Sequence, residues 1–576
     1  MCGIWLYFGK NGSYDEQIIL NTADKIKPRG PDMSNCKKIY FGNYTLYLNF
    51  YRLAIMDLSQ KGMQPFTIID GDRTIYLMCN GEIYNYEYLV EKYNLRDKLT
   101  SRSDCEVLIH LYQQFGLNKL YEILNGINSD EVSGEFAIII VDIQNNKMKI
   151  SMARDMGGVR PLYFGCSVDD KLSSSSEDII DEYTDTICIS SQLTSIPFLN
   201  KMNTKQVKSY SHEEHNFILD NKSVVIYDHA NSTQYNLNHI PTTIFDEKEA
   251  LEKIRSTFVK CVEQRMHSDR EMMFMCSGGL DSSLCAGIGA KYAERHGQKI
   301  KTMSIGLEGG TDEKYARMVG EYVNSDHLHV LCTEEEFLDA AKNRVIDIVE
   351  SYDITTIRAS TGQLIAAEKI KQLSECKVVI IGDYSDEITG GYNETKYAPT
   401  IKDYTERIIQ LVEDIQYFDA QRADRCIAMN GLEARTPFGD HRFIKLYLSI
   451  DPELRVHRNG VEKYLLRKAF EGTNFIPDEV LWRPKEAFSD GVSSLKKSWY
   501  SILQEDINKL YSDEDVDNAK NVYKHNIPYT KESLHYRKRF CETFDDNVSN
   551  VIPYFWLPKW GNVKDPSARV LDVYKS

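Results

Sequence analysis

The sequence predicts two domains of different class, an α+β arrangement of two packed sheets followed by an α/β domain built on a parallel sheet. Three observations carry this. The early part of the chain holds short apolar runs bounded by Gly, Asn and Asp, with amphipathic segments between them. Between Glu271 and Asp383 the apolar runs become nearly continuous and alternate with helical stretches, the pattern of strands covered on both faces. And 576 residues exceed what one core serves.

In order, "GIWLYFG", "YTLYLNF", "TIYLMCNG", "FAIIIVD" and "KMKISMARD" read as strands. "DCEVLIHLYQQFG" reads as a helix, with Val107, Leu108, Leu111 and Tyr112 on one face. "ANSTQYNLNHIPTTIF" is polar and aperiodic, so the predicted organisation is a first domain over 1–228, a linker over 229–245 and a second domain over 246–576. "DEKEALEKIRSTFVKCVEQRM" then places Leu251, Ile254, Phe258 and Val262 at helical spacing. "EMMFMC", "KTMSIGL", "HLHVLC" and "KVVIIGD" are the predicted parallel strands, and from about residue 400 the pattern is mostly helical. "LSSSSED" reads as a loop, and there is no internal repeat.

The composition is that of a globular protein, 42% hydrophobic and 27% charged. The 69 Lys and Arg against 85 Asp and Glu leave a net charge of -16, which argues against a broad nucleic-acid footprint. No apolar run is long enough to span a bilayer, and the N-terminus lacks a signal peptide's pattern, so no membrane partner and a cytoplasmic location are expected. The 13 cysteines, without Cys-x-x-Cys pairs, fit reduced thiols.

Two stretches point to chemistry. In "MCGIWLYFG", removal of Met1 leaves Cys2 with both a thiol and a free α-amine, the arrangement of an N-terminal nucleophile; the alternative is an ordinary second residue of a first strand. In "FMCSGGLDSSLCAGIGAKYAERHG" a strand, the turn Ser277-Gly278-Gly279 and a helix from Asp281 present backbone N–H groups at a helix N-terminus, a site for phosphate. Ser277, Ser282 and Ser283 add hydroxyls, Gly278 and Gly279 permit close approach, and Asp281 could hold Mg²⁺ bridging phosphates. The loop lacks the Walker A and dinucleotide patterns and resembles the pyrophosphate loop of ATP pyrophosphatases.

Over nearly its whole length the chain resembles the glutamine-hydrolysing asparagine synthetases. The motifs that carry the resemblance are "RGPD" (29–32), "RLAIMD" (52–57), "NGEIYN" (80–85), "SDCEV" (103–107), "ARDMGGVRPLY" (153–163), "SGGLDSS", "ESYDITTIRAST" (350–361), "SDE" (385–387), "LEARTPF" (432–438), "VEKYLLR" (461–467) and "KEAFSDGV" (485–492). The resemblance implies a four-layer αββα N-terminal-nucleophile glutaminase followed by a Rossmann-like synthetase domain. It implies that Cys2 attacks glutamine, that the Asn80 side chain and the Gly81 N–H hold the oxyanion, and that Arg52 receives the substrate α-carboxylate, with Asp104 and Glu82 on its α-ammonium. Because "SDCEV" opens a helix, Asp104 also suits an N-cap. In the second half it implies an ATP site including Ile305, Gly382 and Ser385 beside the phosphate loop, Mg²⁺ on Asp281 and Asp386, Lys463 neutralising charge during adenylation, and Glu350 taking a proton from ammonia. The implied partners are glutamine, aspartate and ATP, with a homodimer as the implied assembly.

The chain departs from the family pattern at Pro28, Phe50 and Tyr51 near the first site, where altered packing with retained activity is expected. In "IGDYSDE" Asp383 and Tyr384 replace a glutamate and a glycine. A tyrosine there is strained if the backbone needs φ > 0. Two other readings therefore stand beside asparagine synthesis: amide transfer to a different carboxylate, and a synthetase-impaired glutaminase or regulatory relative.

Overall fold

A computed structural model describes residues 1–126, 132–167, 186–209, 211–220, 223–228, 233–234, 236–486, 491–493, 498–560, 563 and 565–567; "LSSSSED" lies outside the described residues. The chain forms two units, Met1–Tyr235 with Phe544–Val551, and Asn236–Thr543 with Ile552–Ser576.

Alternation of side chains builds the first unit. Its strands are β1 (Gly3–Lys10), β2 (Met33–Phe41), β3 (Tyr44–Arg52), β4 (Phe66–Asp70), β5 (Arg73–Ile83), β6 (Gly134–Gln144) and β7 (Lys147–Arg154). They continue with β8 (Tyr163–Ser167), β9 (Thr186–Ser190), β10 (Met202–Gln206), β11 (Ser211–Asp220), β12 (Ser223–Asp228) and β13 (Thr233–Gln234). One sheet has the order β10-β8-β9-β1-β3-β2 and the other β12-β11-β7-β6-β5-β4, with β13 on β11. Every pairing is antiparallel.

Successive residues of β5 and β6 point to opposite faces, so each strand serves two cores. Met78, Ala137, Ile139 and Val141 join Ile4, Leu6, Phe8 and Leu48 between the sheets. Leu77, Cys79, Ile138 and Ile140 pack instead with Leu108, Leu111 and Leu120 of helix α3. Helices α1 (Glu16–Ala23), α2 (Tyr86–Lys92) and α3 (Val107–Leu124) flank the sheets, giving the αββα layering. The helix predicted through "QQFG" breaks at Gly116, whose φ of 76° is non-helical. The turn Asp546–Val551 returns to this unit on β10 and the turn Leu199–Lys201, where Asn547 Nδ2 donates to Leu199 O at 2.8 Å.

The second unit begins with α4 (Glu247–Gln264), which buries Ile254, Phe258 and Val262 as its spacing predicts. Strands β14 (Met272–Met275), β15 (Lys301–Gly306), β16 (Asp326–Leu331), β17 (Val378–Ile380) and β18 (Glu433–Arg435) form a fully parallel sheet in the order β16-β15-β14-β17-β18. Helices α5 (Leu280–Arg295) and α6 (Asp312–Tyr322) follow β14 and β15. The winding reverses between β14 and β17, which is where open α/β sheets bind ligands, beyond the strands' carboxyl ends. Strand β18, Glu-Ala-Arg, has too little apolar character to be read as a strand. All 13 cysteines are free thiols. Among the described residues no helix is long and apolar enough to cross a membrane.

Candidate active sites

In the first unit Cys2 directly precedes β1. Its Sγ lies 3.7 Å from Leu53 O, and its own carbonyl accepts Arg29 Nε at 3.1 Å. The "RGPD" turn needs its glycine: a Cβ on Gly30 would lie 2.0 Å from Tyr51 O. Asp32 ties the turn to the loop after β3 by accepting Ala54 N at 2.9 Å.

Asn80 and Gly81 occupy β5 opposite Ala137 and Phe136. Asn80 is completely buried, and neither amide atom has a hydrogen-bond partner among the described residues. Such an orphan costs about 1–3 kcal/mol in a folded core, so the group is held for something other than stability. Gly81 admits no side chain, since a Cβ would lie 2.1 Å from Glu135 O. Glu82 and Asp104 are buried nearby on β5 and at the start of the turn before α3. Asp104 does not cap that helix in the way its position suggested; its Oδ2 accepts Ile83 N at 2.6 Å and fastens the turn to β5.

Arg52, at the end of β3, donates to Ser59 O at 2.5 Å, Met56 O at 3.2 Å and Asp57 O. These carbonyl bonds orient the guanidinium, and the nearby Asp57 carboxylate, itself held by Ser59 and the Arg102 N–H, interacts with it electrostatically. Gly62 makes room, as a Cβ there would lie 2.3 Å from Arg52 Nη2. The departures nearby are absorbed locally. Pro28 lies in the 3-10 turn Asp24–Arg29, Phe50 enters the inter-sheet core, and Tyr51 donates to Asp24 Oδ1 at 2.8 Å.

In the second unit a cleft of about 1540 Å³, counted out to open solvent, lies at the carboxyl ends of β14 and β17. Of the predicted residues, Ser277, Gly279, Asp281, Ser282, Ile305, Gly382, Ser385, Asp386 and Lys463 line it. Gly278 and Ser283 do not. Gly278 has φ +78°, and a Cβ on it would lie 2.4 Å from Ala316 N, so it seats the loop against α6. Ser283 is completely buried within α5. Arg483, itself in the cleft lining, holds the loop by donating to Gly278 O at 3.0 Å and pairing with Asp312 at 2.7 Å.

Lys463 is the hub of the charged end. Its Nζ is 2.7 Å from Asp281 Oδ2, 2.5 Å from Asp386 Oδ1 and 3.2 Å from Ser385 Oγ, and that hydroxyl donates to Asp281 Oδ1 at 2.7 Å. Lys485 pairs with the other oxygen of Asp386. Burial pushes the Asp386 carboxyl up, but the two ammonium groups outweigh it and hold the group well below the usual carboxylate range. Among the described residues no set of three His, Cys, Asp or Glu is arranged for a metal. Two carboxylates beside a hydroxyl nonetheless fit Mg²⁺, which binds through one or two carboxylates together with substrate phosphates.

Beyond this end the cleft carries residues that sequence reading missed. Arg422 pairs with Asp383 at 2.6 Å and Asp419 at 2.9 Å, and Tyr392 donates to Glu387 at 2.6 Å and Asp419 at 3.2 Å. Burial, then the neighbouring Asp419, raises Glu387 well above the carboxylate range. In sequence Asp419 and Arg422 look like an ordinary i,i+3 surface pair; only the fold turns them inward. Tyr384 also lines the cleft, 1% exposed, with φ 79° and ψ -17°, the left-handed conformation feared from its replacement of a glycine. Glu350 is not in the cleft lining. Completely buried at the end of the helix Val345–Val349, it faces Arg425 at 3.3 Å.

Residues 1–217 match the family model of a glutamine amidotransferase domain, and residues 253–416 and 399–551 match that of asparagine synthase. The chain is 36% identical over 593 residues to a protein of Acanthamoeba polyphaga mimivirus named a probable glutamine-hydrolysing asparagine synthetase, covering 100% of each. It is 35% identical over 582 residues to the Gallus gallus asparagine synthetase, covering 100% of this chain and 99% of that one. The Homo sapiens asparagine synthetase is 35% identical over 596 residues, with the same coverage. With both family models matched in order and this identity sustained from end to end, the chain belongs to the glutamine-hydrolysing asparagine synthetases.

Proposed function

We propose that this protein makes asparagine from aspartate and ATP, using ammonia released from glutamine and yielding glutamate, AMP and pyrophosphate. The observation that carries this reading is the two-ended cleft. A phosphate loop with Asp281, Asp386, Lys463 and Lys485 occupies one part, and Arg422 with Asp419 occupies another, charges that complement an amino acid's carboxylate and ammonium.

At the first site the Cys2 thiolate attacks the glutamine carboxamide carbon. Asn80 and the Gly81 N–H stabilise the oxyanion, ammonia leaves, and water releases glutamate from the thioester. The α-amine exposed by Met1 removal takes the thiol proton. Arg52, oriented by three backbone carbonyls, receives the substrate α-carboxylate; Asp104 and Glu82 receive its ammonium. At the second site the aspartate β-carboxylate oxygen attacks the α-phosphorus and pyrophosphate leaves. Ammonia then attacks the acyl carbon and AMP leaves. Lys463 offsets the charge that develops on the phosphates. Mg²⁺, when bound at Asp281 and Asp386, supplies charge neutralisation and alignment of the pyrophosphate oxygens. Glu350 is assigned the proton lost by ammonia, which requires ammonia to meet it outside the cleft lining.

The free thiols support a reducing, cytoplasmic setting, and the family resemblance supports a homodimer. Tyr384 favours a second reading, a glutaminase impaired in synthesis, because a buried ring stands in the cleft on a strained backbone. Amide-¹⁵N-glutamine, aspartate and Mg-ATP supplied to protein whose Met1 removal is confirmed by intact mass decide between them. Labelled asparagine in step with AMP is expected. Glutamate without AMP overturns asparagine synthesis and supports the second reading.

A further inference from the structure

The stretch around Trp556 lies beside the part of the cleft that holds the Arg422 and Asp419 charges. Trp556 is its anchor. The Trp556 backbone N–H donates to Asp353 Oδ1 at 2.7 Å, and Thr355 Oγ1 donates to the Trp556 backbone carbonyl at 3.3 Å. Asp353 caps the helix Ile354–Leu373 by accepting Thr356 N at 2.8 Å. That helix supplies Thr355, Ala359 and Gln363 to the cleft wall. The Trp556 ring lies 5.1 Å from the Tyr392 ring, whose hydroxyl orders Glu387 and Asp419. A small second cavity, bounded by Trp556, shares Thr355, Glu387, Tyr392 and Asp419 with the cleft. Further along, Asp565 pairs with Arg358 of the same helix at 2.8 Å.

We propose that Trp556 is a positioning residue for the acceptor amino acid, the stretch around it acting as the back wall that fixes Tyr392, and through it Glu387 and Asp419, in the cleft. Trp556 does not line the cleft itself and has no bond to the phosphate-loop residues among those described, so its effect falls on one substrate and not the other. The inference rests on the acceptor site proposed above.

The test compares the full chain with Trp556→Ala and Trp556→Phe, using pyrophosphate release with Mg-ATP, ammonium and aspartate, with glutaminase activity as a measure of an intact first unit. Trp556→Ala is expected to raise the KM for aspartate by about tenfold or more while the KM for ATP stays within about twofold, and Trp556→Phe to recover most of the loss. Glutaminase activity should not change. Backbone hydrogen exchange supplies a readout independent of turnover: residues 385–393, which carry Glu387 and Tyr392, should lose protection in Trp556→Ala and regain it in Trp556→Phe. Equal rises in both KM values, or unchanged exchange in this stretch, overturn the proposal. Wild-type protein that releases no pyrophosphate with aspartate overturns the acceptor reading instead, and exchange alone then decides the role of Trp556.

Discussion

Asn80 shows how a single residue can work against the stability of its own domain. Its buried amide has no partner among the described residues, so Asn80→Leu, which keeps the volume and removes the polar atoms, should leave the first unit as stable or about 1–2 kcal/mol more stable. If Asn80 holds the oxyanion as proposed, the same change should lower glutaminase kcat by about 10²–10³-fold. Denaturant unfolding and glutamate release check the two halves of this prediction; a large loss of stability would mean that Asn80 is structural. Tyr384 inverts an ordinary rule. At φ 79° an alanine keeps the left-handed penalty and a glycine escapes it. Tyr384→Gly should therefore be more stable than Tyr384→Ala by about 1–2 kcal/mol, where an ordinary position would favour alanine. Sequence could name both residues, through a motif and a departure from it. It could not say that Asp104 would bond β5 and not a helix end, because that depends on where β5 lies relative to the turn.

At the scale of elements, the two glycines of the phosphate loop divide the labour. Gly278→Ala meets both a positive φ and the α6 backbone and should destabilise the second unit by at least about 2 kcal/mol. Gly279 has φ -77° and room for a Cβ, which would meet only Ser277 Oγ at 3.4 Å. Gly279→Ala should fold within about 0.5 kcal/mol of wild type but raise the KM for ATP, because this residue faces the cleft. Urea unfolding with ATP titration separates them. The helix Ile354–Leu373 carries a pH dependence at its cap. Burial, opposed by bonds from Thr356 and Trp556, pushes Asp353 up to about 6. A carboxyl whose pKa is higher in the folded than in the unfolded chain gives stability that is present below about pH 4 and lost as pH rises through about 6, here on the order of 3 kcal/mol. Asp353→Asn keeps a good cap and removes this proton. Its Tm relative to wild type should therefore fall as pH is lowered from 7 to 5, and a flat difference would refute the assignment. Strong periodicity made β1, β3, β5 to β7, β14 to β17 and α4 legible. The three-residue β18 was not, because its pairing on β17 owes nothing to apolar pattern.

For the molecule as a whole, the sequence disclosed two classes of domain and the loops of both candidate sites, since each rests on local signals. It concealed what the chain does after residue 400, where helices give little sign of which charges they turn inward, as Asp419 and Arg422 do. It also concealed the return of Phe544–Val551 to the first unit. That return bears on how the protein is born. A domain at the start of a chain ordinarily folds as it leaves the ribosome, but here the last piece of the first unit is translated only after the bulk of the second. The interval between Tyr235 and Phe544 is about 300 residues, or roughly 15–60 s at ~5–20 residues per second. During it the nascent glutaminase waits with its β10 side uncovered, and ribosome-bound chains arrested before Phe544 should be cut by protease at β10 and the turn Leu199–Lys201 far faster than finished protein.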